Sequence, residues 1–311
     1  MQADVLRMMA RTVVVWVFRD GKAGHDNQAR GLIEALQRLT PLDVHDVPLP
    51  SLGRLLGDAL TGRFCAGQAL PDPDLLIGAG LATHLPRLRG GRARGGYSII
   101  LMKPSLPRAW FDLCVIPRHD GVEPAPNVLI TDGVLNAMQA AAGKDPRQGL
   151  ILIGGPSAHH AWSEPELIAQ LRVILARDNG MQWRIAGSRR TPAATLPLLR
   201  ALEGPQVKFV PHEDTDATWV PAQLARAATV WVTEDSVSMI YEALTAGAAT
   251  GLLAVPRRRA DRVTRAIDAL IKTERVTPFA AWQETHALRV PETFNEAARV
   301  AAWVERTWLR A

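Results

Sequence analysis

The sequence predicts an α/β protein of two consecutive doubly wound, Rossmann-like domains, with ligands taken up in a cleft at the carboxyl ends of their strands. Three observations predict it. Short runs rich in β-branched residues alternate with helical patterns, the signature of βαβ units and parallel sheets. The 311 residues exceed what one hydrophobic core usually holds. A polar stretch at 143–148, with Lys144, Asp145 and Pro146, reads as a linker, and the pattern starts afresh behind it.

In the first half, 12–18 reads as a buried strand, followed by a glycine-containing loop and a helix over 27–39. Further strands are expected at 75–77, 97–102, 113–116 and 128–130, with Thr83 and His84 exposed at a helix start. The second half reads as a strand at 150–153, a helix over 164–177, a strand at 182–186, a helix after Pro192, strands at 207–210 and 229–232, a helix over 238–246 and a strand at 251–255. The expected domains are therefore 1–145 and 146–290, with 291–311 holding a final amphipathic helix over 291–308 that crosses back to the first domain. Trp16 and Trp231, on strands, are expected in the core.

Composition narrows the function. Hydrophobic residues make up 47% and charged residues 22%, which is globular. The formal charge is +5, from 36 Lys+Arg against 31 Asp+Glu, and basic residues cluster only at 87–94 and 257–259. That excess is too mild for a nucleic-acid footprint; it suits a phosphate-bearing ligand or weak attraction to an anionic membrane surface. Cys65 and Cys114 have no CxxC or Cys/His spacing, so no metal site is expected and a reducing cytosol is implied. Residues 1–11 lack the apolar core of a signal peptide, and no run of about 18 apolar residues occurs. A cytoplasmic protein, at most peripheral at the inner face of the membrane, is expected.

Four loops could carry chemistry. The first runs from Asp20 through Lys22, Gly24, His25, Asp26 and Asn27 to Gln28, directly after the first strand. Its glycines let backbone amides approach a phosphate or sugar, and the following helix adds a partial positive charge. A capped turn is the plain alternative, but a turn does not need this density of ionisable groups. The spacing is neither a dinucleotide fingerprint nor a P-loop, so no bound NAD or ATP is expected and no cofactor beyond a nucleotide-type substrate. The second loop, Gly154-Gly155-Pro156-Ser157, could hold a pyrophosphate or be an ordinary turn. The third, Ser188-Arg189-Arg190-Thr191, puts two cationic forks at a helix start, against the alternative of a solvated charge pair with a Thr191 cap. The fourth holds Glu234, Asp235, Ser236 and Ser238, with Glu242 one turn beyond Ser238 on the same helix face. There a helix N-terminus can meet phosphate while the carboxylate takes ribose hydroxyls; the alternative is a capped helix with a solvated Glu242. His119-Asp120 could be a base with its orienting carboxylate or a polar turn.

The stretches VFRDGKAGHDNQARGLIEAL, LIGGPS, GSRRTP and VTEDSVSMIYEAL resemble, in order and spacing and over nearly the whole chain, the Elm-type family named for plant mitochondrial fission. Its bacterial members are described as predicted nucleoside-diphosphate-sugar epimerases. The resemblance implies the two-domain organisation of GT-B glycosyltransferases, in which a glycine/serine loop and a glutamate on the next helix hold a sugar nucleotide. Those roles then fall on Gly154, Gly155 and Ser157, on Ser188 and Arg189, and on Ser236, Ser238 and Glu242. The acceptor side falls on Asp20, Lys22, Gly24 and His25. One departure stands out: Glu234-Asp235 occupies the place of a His-Gly-Gly-type turn in many GT-B enzymes, setting two carboxylates near the diphosphate.

The resulting expectation is a metal-independent, inverting glycosyltransferase. A nucleoside-diphosphate sugar is its donor, a glycan or lipid-linked molecule its acceptor, and His25, then Asp20 or His119, its base. Arg189 and Arg190 would stabilise the leaving diphosphate. Two other readings stay open: a non-catalytic adaptor recruiting a partner to a membrane, and a nucleoside-diphosphate-sugar epimerase.

Overall fold

A computed structural model describes residues 11–177, 180–289 and 292–310. Residues 1–10 and the expected start of the final helix at 291 lie outside the described residues. The chain divides into two compact units, Met1–Ala137 with Asn295–Ala311, and Met138–Phe294.

The first unit runs β1 (Val13–Phe18), α1 (Ala23–Gln37), β2 (Leu42–Val47), α2 (Leu52–Thr61), β3 (Leu75–Ala79), α3 (His84–Arg94), β4 (Tyr97–Leu101), β5 (Leu113–Pro117) and β6 (Val128–Thr131). The second contains β7 (Asp145–Leu152), α4 (Glu164–Arg177), β8 (Gln182–Ala186), α5 (Thr195–Arg200), β9 (Val207–Val210), α6 (Trp219–Arg226), β10 (Ala227–Thr233), α7 (Val237–Thr245), β11 (Ala249–Leu253), α8 (Arg262–Lys272), β12 (Thr277–Pro278) and α9 (Phe279–Thr285). Helix α10 (Glu296–Val304) then completes the first unit.

Each unit has one six-stranded sheet, ordered β2-β1-β3-β4-β5-β6 in the first and β12-β11-β10-β7-β8-β9 in the second. Every pairing is parallel. Such strands are covered on both faces, which is why β1 reads as an unbroken apolar run, VVVWVF. Val13, Val15 and Val17 point to one face and meet Leu32 and Leu36 of α1 and Val300 and Val304 of α10. Trp16 and Phe18 point to the other, where Leu55 of α2 and Phe64 cover them. In the second unit Trp183 and Trp231 fill one face with Leu167, Leu171 and Ile174 of α4. Gly149 and Gly251 leave room for these two indoles, since a Cβ at either would run into the ring.

The structure corrects four local expectations. The supposed linker at 143–148 enters β7 at Asp145, and Lys144 donates to the Leu224 and Ala227 carbonyls, which fastens it inside the second unit. Strand β2 (LDVHDV) went unrecognised because an edge strand half in solvent is polar at alternate positions. Helix α1 starts at Ala23, not Asn27: the Lys22 carbonyl accepts from the His25 and Asp26 amides, so His25 to Gln28 form helix turns rather than loop. Thr83 and His84 are buried, not exposed. The Thr83 hydroxyl donates to the Gly80 carbonyl, and the His84 ring packs 5.7 Å from that of Phe111.

Burial of His84, aided by the nearby Arg87 cation, pushes its pKa down to about 4. The depressed folded value means that His84 supports the fold above its ordinary unfolded pKa of about 6.5, and that this support is lost as pH falls toward 4. At about 1.36 kcal/mol per pKa unit the loss approaches about 3 kcal/mol. Urea unfolding at neutral pH and at about pH 4.5 should show this extra acid sensitivity in the wild type, and a smaller one in His84→Gln. Equal pH slopes for the two would contradict the assignment.

Candidate functional site

In an open parallel sheet, ligands bind at the carboxyl ends of the strands where the strand order reverses. That point lies between β1 and β3 in the first unit and between β7 and β10 in the second. The loops leaving these four strands carry Asp20 to Lys22, Gly80, Gly154-Gly155 and Glu234 to Ser236.

At the first switch point His25 Nδ1 lies 2.8 Å from Asp20 Oδ2, with the carboxylate side chain 5% and the imidazole 19% exposed. An ionised carboxylate only accepts, so Nδ1 carries the shared proton, and in a neutral imidazole the lone pair is then on Nε2. Asp20 Oδ1 also accepts from the Lys22 amide at 3.2 Å. Gly80, at φ +87°, passes so close that a Cβ there would strike His25 and come within 2.5 Å of Asp20 Oδ2. Gly80→Ala should therefore cost about 1–3 kcal/mol and break the pair. The check is a thermal melt together with the hydrogen-bonded His25 Nδ1 proton by NMR, and retention of both at wild-type values would refute the packing argument. Gln28 is buried and donates to the Gly24 carbonyl, and Asn27 accepts from Arg30; both serve the helix.

His119 and Asp120 sit in the turn after β5. Strand β5 is three places from β1 in the sheet, roughly 14 Å at ordinary strand spacing. The structure does not assemble His119 with the Asp20–His25 pair.

At the second switch point three loops interlock. The Gly154 amide donates to Thr233 Oγ1 at 2.8 Å and the Gly155 amide to Asp235 Oδ2 at 3.0 Å. Arg190 reaches the same Oδ2 at 2.7 Å and the Gly155 carbonyl at 2.9 Å. Thr191 Oγ1 lies 2.7 Å from the Gly154 carbonyl and accepts from the Ser188 amide at 2.8 Å, and Ser188 Oγ donates to Gly154 at 3.2 Å. Both glycines are required, because a Cβ on Gly154 would strike the Asp235 carboxylate and one on Gly155 the Arg190 carbonyl. Ser157 Oγ is taken up within its own turn by the His159 and His160 amides, each at 3.1 Å.

The two carboxylates of Glu234-Asp235 are thus buried and neutralised. Asp235 is paired with Arg190; Glu234 lies 3.1 Å from Arg257, which also holds Asp268 at 2.6 Å. Burial raises the Glu234 pKa, with Arg257 pulling the other way. Beyond them the His159–Asp261 contact of 2.5 Å, in which the histidine's hydrogen bond holds the carboxyl well below its usual range, joins the 154–163 loop to the cap of α8. His160 is fully buried with neither ring nitrogen hydrogen-bonded, and burial lowers its pKa.

Of the residues singled out in the sequence, Ser188, Arg190, Thr191, Glu234 and Asp235 are therefore engaged in holding the loops to one another, and Ser157 in bracing its own turn. Arg189 is exposed and makes no ion pair among the described residues; Ser236 begins α7 without capping it, and Ser238 is exposed one turn before Glu242. Asp261 was missed, and Arg257 gave a signal only as part of the basic run 257–259; Thr233 and His160 lie within and directly behind loops that the sequence marks, without a role assigned to them. Among the described residues no group of three or more His, Cys, Asp or Glu is gathered as for a metal ion.

Solved structures similar to the chain share its fold. A candidate UDP-N-acetylglucosamine 2-epimerase from Listeria monocytogenes matches at TM-score 0.59 and 11% identity, covering 95% of this chain and 97% of the other. MurG from Acinetobacter baumannii matches at TM-score 0.54 and 13% identity, covering 95% and 100%. A UDP-GlcNAc 2-epimerase from Neisseria meningitidis, bound to UDP-GlcNAc, matches at TM-score 0.54 and 10% identity, covering 96% and 100%. The fold is accordingly of the GT-B type, two Rossmann-like sheets in one chain. No curated protein matches the sequence. The family described as Mitochondrial fission ELM1 matches residues 23–308, and the chain belongs to that family.

Proposed function

We propose that the protein is a glycosyltransferase using a nucleoside-diphosphate sugar. The observation that carries this reading is the interlocked second switch point. Its carboxylates are matched by arginines within the protein, which removes their repulsion from a diphosphate. The start of α7, Ser236, Ser238 and Arg189 remain uncommitted for an anion. Glu242, on the same helix face as Ser238, is assigned to the ribose. Asp235, Arg190 and Thr191 act as positioning residues.

For the reaction, His25 Nε2 takes the proton of the acceptor hydroxyl, and Asp20 steadies the imidazolium that forms. The hydroxyl oxygen bonds to the sugar's anomeric carbon as the bond to the diphosphate breaks, and the nucleoside diphosphate leaves with the electron pair. Arg189 and the α7 amides, in place of a metal, stabilise its charge. A glycan or lipid-linked acceptor, cell-envelope synthesis and a cytoplasmic setting at the inner membrane face are proposed on the family resemblance alone.

A thermal-shift panel of nucleotide sugars, followed by assay of nucleoside-diphosphate release, tests the reading, since a ligand stabilises by mass action. His25→Ala should lower release by about 100-fold or more while leaving the nucleotide-induced shift intact. Unchanged turnover in that variant would remove His25 from the reaction. No shift with any nucleotide sugar would favour the adaptor. The fold likeness to 2-epimerases supports a second reading, interconversion of the donor without an acceptor. Product analysis in the absence of acceptor separates the two.

A further inference from the structure

The first unit turns an apolar stripe outward. Helix α2 is fixed to the body by its buried Leu55 and by the buried Asp58, whose carboxylate accepts from the Cys65 amide at 3.1 Å. With that face inward, Leu52, Leu56 and Leu60 lie in line at intervals of four residues and are 63%, 60% and 90% exposed. Helix α3 lies alongside: Arg89 donates to the Asp58 and Arg63 carbonyls at the far end of α2. Both helices follow parallel strands and return in the same direction, so their N-terminal ends share one edge of the unit. There Leu81 and Leu85 are 69% and 48% exposed. Half of the large hydrophobic side chains exposed among the described residues therefore belong to these two neighbouring segments. One exposed leucine is unremarkable; a grouped set marks a surface that meets something.

Charge identifies what it meets. Residues 48–63 and 80–96 contain six arginines and one carboxylate, Asp58, which is buried. Arg87 is buried and Arg94 is bound to Asp72, but Arg54, Arg63 and Arg92 are exposed and have no ion-pair partner among the described residues. Leu85 and Arg92, two turns apart on α3, are both exposed, while half-buried Arg89 faces α2. An apolar ridge edged by unpaired cations, with no exposed carboxylate in either segment, matches the boundary of an anionic bilayer: leucines enter the acyl region while arginines stay at the headgroups. No helix among the described residues is long and apolar enough to cross a membrane.

We propose that α2 and the start of α3 form a docking surface for an anionic lipid bilayer. This surface belongs to the first unit alone and does not rest on the nucleotide-sugar reading. The test is co-sedimentation of the full chain with vesicles of phosphatidylcholine, alone or mixed with phosphatidylglycerol. The protein should pellet with the mixed vesicles, and high salt should release most of it. The triple variant Leu52→Gln, Leu56→Gln, Leu60→Gln, altered only at exposed positions, should melt like wild type and bind at least about tenfold more weakly. Arg54→Glu with Arg92→Glu should weaken binding by about fivefold or more per residue. Wild-type protein that stays in the supernatant, or a leucine variant that pellets undiminished, would overturn the proposal. So would a concentration-dependent dimer that the leucine variant abolishes, since the ridge would then serve a second copy.

Discussion

Gly155→Ala should destabilise the protein by about 1–3 kcal/mol and abolish nucleotide-sugar binding. A methyl group at this position meets the Arg190 carbonyl well inside van der Waals contact. That carbonyl cannot swing away cheaply, because the same residue is held at its other end by the Gly155 carbonyl and by Asp235. The clash must be relieved by parting the 154–155 loop from the 188–191 loop, an overpacking cost in a region that is already dense. Thermal unfolding should shift down at roughly 2–4 °C per kcal/mol. Gly187→Ala is the matched control: its Cβ would make only ordinary contact, 3.6 Å from Thr191 Oγ1, and its melt should stay close to wild type. A Gly155→Ala protein that melts and binds like wild type would contradict the interlocked geometry.

The second large effect is expected of Asp235→Ala. The Asp235 side chain is fully buried whereas Arg190 is 41% exposed. On removal of the carboxylate the guanidinium can turn to water, but the buried Gly155 amide loses its acceptor. The cost should therefore be that of one unsatisfied buried N–H, about 1–3 kcal/mol, with little added for the half-exposed ion pair. Asp235→Asn keeps an acceptor for the amide and should recover much of the loss. Urea unfolding of the three proteins checks the order wild type, Asn, Ala. If Ala and Asn proved equally stable, the amide contact would not be the anchor.

The contrast between what was legible and what was not has a physical basis. Strands β1, β3 and β5 stand out in the sequence because a parallel strand buried on both faces is continuously apolar. Strand β2 does not, because its edge position leaves Asp43, His45 and Asp46 partly in water. The places of the loops were also legible, since glycines and polar residues directly behind such strands mark the sheet's carboxyl edge. The partners of those residues were not. Asp235 meets Gly155 across 80 residues, and Arg190 meets Gly155 across 35. Residue type shows that a carboxylate or a guanidinium is present; only the fold shows whether a neighbour has already satisfied it. In the proposed reading that difference gives Asp235, Arg190 and Thr191 a loop-positioning role. It leaves Arg189, Ser236 and Ser238 as the groups still open to an anion. It also brings out Gly80, whose bare backbone makes room for the Asp20–His25 pair.

The central claim is that the loops around β7 and β10 hold a nucleoside diphosphate without a metal. Isothermal titration of the full chain with UDP, GDP and ADP and their sugar conjugates, in the presence of a chelator, tests it most directly. The account predicts saturable one-to-one binding of at least one of them, lost in Gly155→Ala and kept in His25→Ala. Folded wild-type protein that takes up none of these ligands would contradict it.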